Sequence, residues 1–391
     1  MAGPGFLDRS RIIAPPGWSR WLVPPAALSI HLAIGQAYAW SVFKNPLAAV
    51  MLPGSKYAGT LTGLPFNLAI VMLGASAALF GTKVDHKGPR WAMLIASACF
   101  CTGFLIAAAG VALGQFWLVV FGYGFVGGIG LGIGYISPVS TLIKWFPDRP
   151  GMATGLAIMG FGGGALIASP WSTAMLTAFG GSKHANGLAE TFLLHGIGYA
   201  IFMSLGWLLV RVPADDWRPA GWDPATVQAK PLITTANVSA NNAIKTPQFW
   251  LLWVVLCFNV TAGIGILERA APIYQDFFKG VTPAAALTAI AAGFVSILSL
   301  ANMTGRIVWS SVSDLIGRKN IYRFYLGVGA LLYIVLEVAG NASKAVFLIC
   351  AMLILSFYGA GFATVPAYLR DLFGTYEVGA IHGRLLTAWS V

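Results

Sequence analysis

The sequence predicts an all-α membrane protein built as two six-helix bundles, the second cut short in its eleventh helix. Three observations predict it: a composition too poor in charge to face water, a series of apolar stretches of spanning length, and a repeat of that series within the chain. Hydrophobic residues make up 57% of the 391 residues and charged residues only 9%, with a mean hydropathy of +0.75. A soluble chain carries about 25% charged residues. A surface with so little charge has to face lipid.

The apolar stretches run over about 22–43, 57–80, 91–110, 116–138, 152–178, 191–211, 248–272, 284–309, 322–340 and 345–366, and an eleventh opens near Gly379. Each is close to the ~20 residues that a spanning helix needs. Helix is the expected form throughout, because hydrocarbon offers no other partner for backbone N–H and C=O groups. Ahead of span 1, Arg9, Arg11 and Arg20 flank no apolar core, so a cleavable signal peptide is not expected. Cys99, Cys101, Cys257 and Cys350 all fall inside spans without metal-ligand spacing, and read as small packing residues. In span 4, Gly122-Tyr-Gly-Phe-Val-Gly127 fits a dinucleotide pattern, but no strand precedes it. Gly124, Gly128 and Gly132 recur at every fourth position and, with Gly160 to Gly164 of span 5, predict close helix packing between those two spans.

Orientation follows from Lys and Arg in the connections. The N-terminus and even-numbered connections hold 17 of them, against 6 in the odd-numbered connections, leaving Arg306 alone within a span. The N-terminus and even connections are therefore expected in the cytoplasm. The net charge of +11 then reads as membrane topology rather than as a nucleic-acid surface.

The spans repeat with an offset of about 226 residues: starts at 22, 57, 91, 116 and 152 are answered at 248, 284, 322, 345 and 379. Polar detail repeats too, since "GTKVDHKGPRW" after span 2 answers "SSVSDLIGRKN" after span 8. The expected domains are an N-terminal six-helix bundle over 1–211, a polar, proline-bearing cytoplasmic linker over 212–247, and an incomplete C-terminal bundle over 248–391. Two parallel six-helix repeats are the architecture of major-facilitator carriers, whose substrate site lies between the halves at mid-membrane.

From about residue 20 onward the chain resembles the oxalate:formate antiporter family of major-facilitator carriers, which also includes lactate and pyruvate carriers. The residues that carry the resemblance are "YAWSVFKNP" (38–46), "KWFPDRPGMATG" (144–155), "KTPQFWLLWV" (245–254), "GRIVWSSVSDLIGRK" (305–319) and "DLFG" (371–374). The resemblance implies a secondary transporter of small carboxylates working by alternating access in the cytoplasmic membrane. It also implies that Asp85 with Arg90, and Asp314 with Arg318, form charge-pair latches closing the cytoplasmic side.

Arg306 stands eight residues before Asp314, about 12 Å deeper in a ~30 Å core. Arginine at a helix centre costs about 2.5–3.5 kcal/mol to insert. Either it snorkels to cytoplasmic water, or it faces a cavity and grips an anion with its planar fork. Asn302, one turn earlier, lies on the same face. Members of the family carry both residues, and the resemblance implies that Arg306 binds the carboxylate, with Asn302 placed to add a neutral hydrogen bond. Where the oxalate carrier has a second cation, a lysine in helix 11, this chain has Trp389. One cation beside an indole suits a monoanion such as pyruvate, lactate or formate. Matched aromatic positions extend the candidate site: Tyr38, Tyr135 and Tyr358 keep hydroxyls, while Phe161 and Phe362 stand where the oxalate carrier has tyrosines.

His31, seven residues before Tyr38 on roughly the same face, is the candidate for proton coupling. Symport and exchange both stay open. The expected partners are a carboxylate anion, a proton and the lipid bilayer, with the chain working as a monomer. No nucleic acid, metal or cofactor is expected, and no enzymatic constellation is present. An oxalate/formate exchanger, a drug efflux pump and a transport-inactive sensor are the alternatives. An efflux pump would carry acidic residues within spans 1–6, where Asp and Glu occur only at interface positions. Val391 falls about 13 residues into span 11, and a half-helix of ~20 Å does not cross the core. The working carrier is therefore expected to continue for about 45 residues through a twelfth helix.

Overall fold

The computed structural model describes residues 5–180, 185–222, 233–234, 236–278, 284–340 and 342–391. Much of the expected linker, and Lys183, Lys230 and Lys279 of the charge count, lie outside the described residues. Among the described residues eleven helical rods follow one another. The first, α1, is Val23–Ile34, a 3-10 turn Gly35–Ala39 and Ser41–Met51, bent by 53°. Then come α2 (Ala58–Lys87), α3 (Pro89–Ala112), α4 (Phe116–Trp145) and α5 (Pro150–Ala178). They are followed by α6 (Ala185–Leu209), α7 (Pro247–Phe278), α8 (Ala284–Ile316), α9 (Arg318–Ala339), α10 (Lys344–Phe373) and α11 (Val378–Leu385, continued by Thr387–Ser390). Among the described residues the architecture is all-helical, as expected, apart from an isolated β-bridge between Ile13 and Val212.

Two contacts join the bundles most extensively: α5 lies along α8, and α2 along α11. The packing is close enough to be decided by backbone. A methyl group on Gly35 would sit 2.9 Å from the Phe161 Cα, so the α1 bend is pressed directly against α5. In α4 the helix widens to a π-helix over Val120–Gly127. The dinucleotide-like glycines lie in this stretch, as helix and not as a phosphate loop.

Two expectations are corrected here. Several helices run well past their apolar stretches: α2 to Lys87, α4 to Trp145, α8 to Ile316 and α10 to Phe373. Hydropathy marks where a helix meets lipid, whereas these extensions bury one face against protein, as Trp145, Ser313 and Asp371 show, and leave residues such as Leu315 exposed on the other. The two glycine stripes also do not meet each other. Gly124, Gly128 and Gly132 pack against Leu68, Ala69 and Leu73 of α2, while Gly160 and Gly164 pack against His31 and Gly35 of α1. Small residues allow close approach without specifying the partner.

Candidate functional site

Arg306 and Asn302 sit one turn apart on α8, both fully buried. Snorkelling is therefore not the arrangement adopted. The Arg306 Nε donates to Asn302 Oδ1 at 2.8 Å, one terminal nitrogen to the Ile158 carbonyl of α5 at 3.3 Å, and the other to the Tyr38 hydroxyl of α1 at 3.4 Å. The guanidinium carbon lies 5.6 Å from the Phe161 ring and 5.5 Å from the Phe362 ring, so aromatic faces from α5 and α10 border it. α8 reaches this position through glycines on both neighbours. A methyl on Gly162 would fall 2.8 Å from Arg306 Nε and 2.9 Å from Asn302 Oδ1, and one on Gly359 would fall 2.6 Å from the Asn302 carbonyl.

None of the ion pairs among the described residues involves Arg306. A buried ion costs several kcal/mol unless it is paired, and neutral oxygens with two ring faces compensate it only in part.

The surrounding polar atoms repeat the imbalance. The Asn302 amide nitrogen, the Tyr135 hydroxyl and the Trp389 indole N–H are buried without a hydrogen-bond partner. An unmet buried donor costs about 1–3 kcal/mol. These groups lie around one centre. The Trp389 ring is 4.5 Å from Phe362 and 5.6 Å from Phe161, and the Tyr135 ring is 5.2 Å from Phe161 and 5.9 Å from Trp389. Tyr38 and Tyr358 meet hydroxyl to hydroxyl at 2.9 Å, joining α1 to α10 beside the guanidinium. Every sequence-predicted binding residue is thus in one cluster at the junction of the bundles. The cluster offers N–H and O–H donors around one permanent cation, which is the environment a small anion requires.

His31 adjoins this cluster, its ring 5.4 Å from Tyr135. Its Nδ1 meets the Ala157 carbonyl and its Nε2 the Tyr135 carbonyl. The sequence reading missed His382, which is buried on α11 with both ring nitrogens unpartnered and its ring 5.8 Å from Tyr135. A signal for it was present: His382 precedes Trp389 by seven residues, the spacing by which His31 precedes Tyr38.

The latch geometry differs from a charge pair across the bundles. Asp314 accepts from the Gly151 and Met152 N–H groups at 2.9 and 3.0 Å, in the first turn of α5. Asp85 accepts from the Ala380 N–H at 2.9 Å, near the start of α11. Each carboxylate thus holds a helix N-terminus of the opposite bundle, where unpaired N–H groups and the helix dipole favour negative charge. Arg318 backs Asp314 at 2.6 Å and reaches Asp371 of α10 at 3.0 Å. Arg90 is not part of the Asp85 contact. It donates to the Trp207 and Leu208 carbonyls at the end of α6 and lies over the Phe6 ring, because the C-terminal carbonyls of α6 need donors. At the other end, Lys44 of α1 pairs with Glu268 of α7 at 3.4 Å. Contacts between the bundles thus exist at both ends of the buried cluster.

Residues 19–391 match the family model of the Major Facilitator Superfamily. The oxalate:formate antiporter of Oxalobacter formigenes is 27% identical over 360 residues, 91% of this chain and 78% of that protein. Apicoplast pyruvate carrier 1 of Toxoplasma gondii is 26% identical over 374 residues, 84% of this chain and 64% of that one. The partially occluded inward-open xylose transporter XylE from E. coli matches in fold with a TM-score of 0.66 at 15% identity, covering 94% of this chain and 90% of XylE.

Proposed function

Because the chain belongs to the major facilitator superfamily, we propose that it carries small monocarboxylates, pyruvate, lactate or formate, across the cytoplasmic membrane by alternating access. The observation that carries this reading is the fully buried Arg306, without a carboxylate partner among the described residues and ringed by unmet donors. A bound carboxylate supplies the missing negative charge and accepts from the guanidinium fork. Asn302 orients that fork. Tyr135 and Trp389 donate to the remaining oxygens, and Phe161 and Phe362 receive a short apolar tail. A single cation balances a single carboxylate, which favours a monoanion over oxalate. The names of the similar proteins, an oxalate:formate antiporter and a pyruvate carrier, agree with this substrate class.

In this reading residues 1–211 and 248–391 rock against each other, joined by 212–247, in a monomer whose N-terminus faces the cytoplasm. The excess of Lys and Arg at that face supports the orientation. Asp85 and Asp314 release the α11 and α5 N-termini when the cytoplasmic side opens. Lys44–Glu268 and Tyr38–Tyr358 separate when the outer side opens.

The test is uptake of labelled pyruvate by the purified protein in proteoliposomes. Unlabelled lactate and formate should compete, and oxalate at equal concentration should not. Oxalate competing as well as lactate would replace this reading by oxalate/formate exchange, and absence of any carboxylate uptake would overturn it. The glycine contact supplies a second expectation. Gly162→Ala pushes a methyl between Arg306 Nε and Asn302 Oδ1, an overpacking that costs about 1–3 kcal/mol. Pyruvate affinity should fall about ten-fold, read by titration calorimetry. Unchanged affinity would mean that Arg306 needs no positioning by Asn302.

A further inference from the structure

An α-helix bonds each carbonyl to the N–H four residues on. In α5 one such pair, the Gly162 carbonyl and the Leu166 N–H, is bridged by a side chain of the other bundle. Ser299 of α8 accepts from the Leu166 N–H at 3.0 Å and donates to the Gly162 carbonyl at 2.7 Å. It is buried, and both of these bonds leave its own helix. Thr304, Ser310 and Ser311, further along α8, donate instead to carbonyls of α8 itself, the ordinary habit of a hydroxyl in a helix.

The bridge meets α5 where that helix is weakest. Gly162, Gly163 and Gly164 follow one another, and glycine is the poorest helix former after proline. Pro170, four residues past Leu166, has no N–H, so the Leu166 carbonyl lacks its helical donor. A proline and a side chain inserted into the ladder are both causes of helix bending. The bridge also adjoins the candidate site. Ser299 precedes Asn302 by three residues and Arg306 by seven, on one face of α8. A methyl on Gly162 would fall 2.8 Å from Arg306 Nε and 2.9 Å from Asn302 Oδ1. The peptide that Ser299 grips is therefore part of the wall on which the guanidinium and its orienting amide rest.

We propose that Ser299 is a positioning residue and the clasp of the outer gate. The proposal rests on the carboxylate reading of Arg306. Ser299 stands on the side of Arg306 away from the Asp314 latch, towards the end where Lys44 meets Glu268. With the outer side closed, its hydroxyl holds the α5 wall against Arg306 and Asn302. As the outer side opens, the hydroxyl withdraws to a carbonyl of α8, and Gly162 and Leu166 bond each other. No buried polar group is stranded in either arrangement, so the clasp has two stable positions. Closing the gate and completing the anion site are one event, each favouring the other by the same factor.

Lys44 reports the gate without an added label. Its side chain is 16% exposed while paired with Glu268, and the exposed Lys56, between α1 and α2, serves as the reference. The purified protein is treated in detergent solution with a water-soluble amine-acylating reagent, and the two lysines are compared by mass spectrometry. Without ligand, Ser299→Ala should raise Lys44 acylation relative to Lys56 at least three-fold over the wild-type protein. Ser299→Thr keeps the hydroxyl and should stay near the wild-type ratio. Saturating pyruvate should shield Lys44 in the wild-type and threonine proteins, and less in Ser299→Ala, whose pyruvate affinity by titration calorimetry should fall about five-fold. Ser299→Ala should melt no lower than the wild-type protein, since α5 then bonds Gly162 to Leu166 within itself. A serine that only fills space predicts the opposite order, with alanine tolerated and the extra methyl of threonine harmful. That order would overturn the proposal, as would a wild-type acylation ratio in Ser299→Ala or an alanine variant that does not fold. A wild-type protein that binds no pyruvate would remove the carboxylate reading, while acylation of the empty protein still decides the clasp.

Discussion

Arg306→Ala should abolish pyruvate binding and transport while leaving the protein folded. The guanidinium is the one charge in the buried cluster, bordered by Phe161 and Phe362 and bonded to neutral oxygens only. Removing one partner of a buried, hydrogen-bonded charge pair costs about 2–5 kcal/mol, or roughly thirty- to several-thousand-fold in affinity. Arg306→Lys should fall between the two proteins, since lysine keeps the charge and loses the two-point fork. Stability separates this role from a structural one. Among the described residues no carboxylate pairs with the buried Arg306, so Arg306→Met, of similar length and apolar, should hold or raise the melting temperature. Calorimetric titration with pyruvate, beside thermal melts of the same samples, checks both halves. Undiminished binding by Arg306→Ala would remove the anchor, and a large fall in melting temperature for Arg306→Met would make Arg306 a structural residue.

Trp389→Lys should turn the preference from mono- towards dicarboxylates. The indole lies 4.5 Å from Phe362, 5.6 Å from Phe161, 5.9 Å from Tyr135 and 6.2 Å from Tyr38, so it borders the same space as the guanidinium. A lysine there adds a second cation that a monoanion leaves unbalanced and a dianion pairs. Repulsion between two buried cations should weaken pyruvate binding, and oxalate should compete at least ten-fold better than against the wild-type protein. Competition by oxalate for labelled formate uptake, before and after the change, reads the shift. An unaltered ratio would place Trp389 outside the substrate's reach.

Much of the molecule is legible without coordinates because lipid is a severe solvent. A charge-poor chain with apolar stretches of spanning length has helices as its economical solution, and the duplicated span series points to two bundles. Arg306 is conspicuous for the same reason: in a span, a permanent charge needs a cause. The candidate cluster is legible as family-matched aromatic positions together with Arg306 and Asn302, and the fold brings all of them to one centre.

What needed the tertiary structure is partner choice. The stripe of Gly124, Gly128 and Gly132 says that something packs closely, and only the fold says that α2 does. Asp85 and Asp314 look like halves of salt bridges because basic residues surround them in the chain; Asp314 does pair with Arg318, yet the partners that tie both carboxylates to the opposite bundle are backbone N–H groups some 295 and 163 residues away. Helix N-termini carry no side-chain signature of that affinity. His382 does not stand out in the sequence although its spacing to Trp389 matches that of His31 to Tyr38, because a histidine declares itself only through its surroundings, here an interior that leaves both nitrogens unbonded. Composition and periodicity report the solvent and the face that a helix shows to it. Which distant surfaces meet depends on shape and on unmet hydrogen bonds, and those come into being when the bundles close.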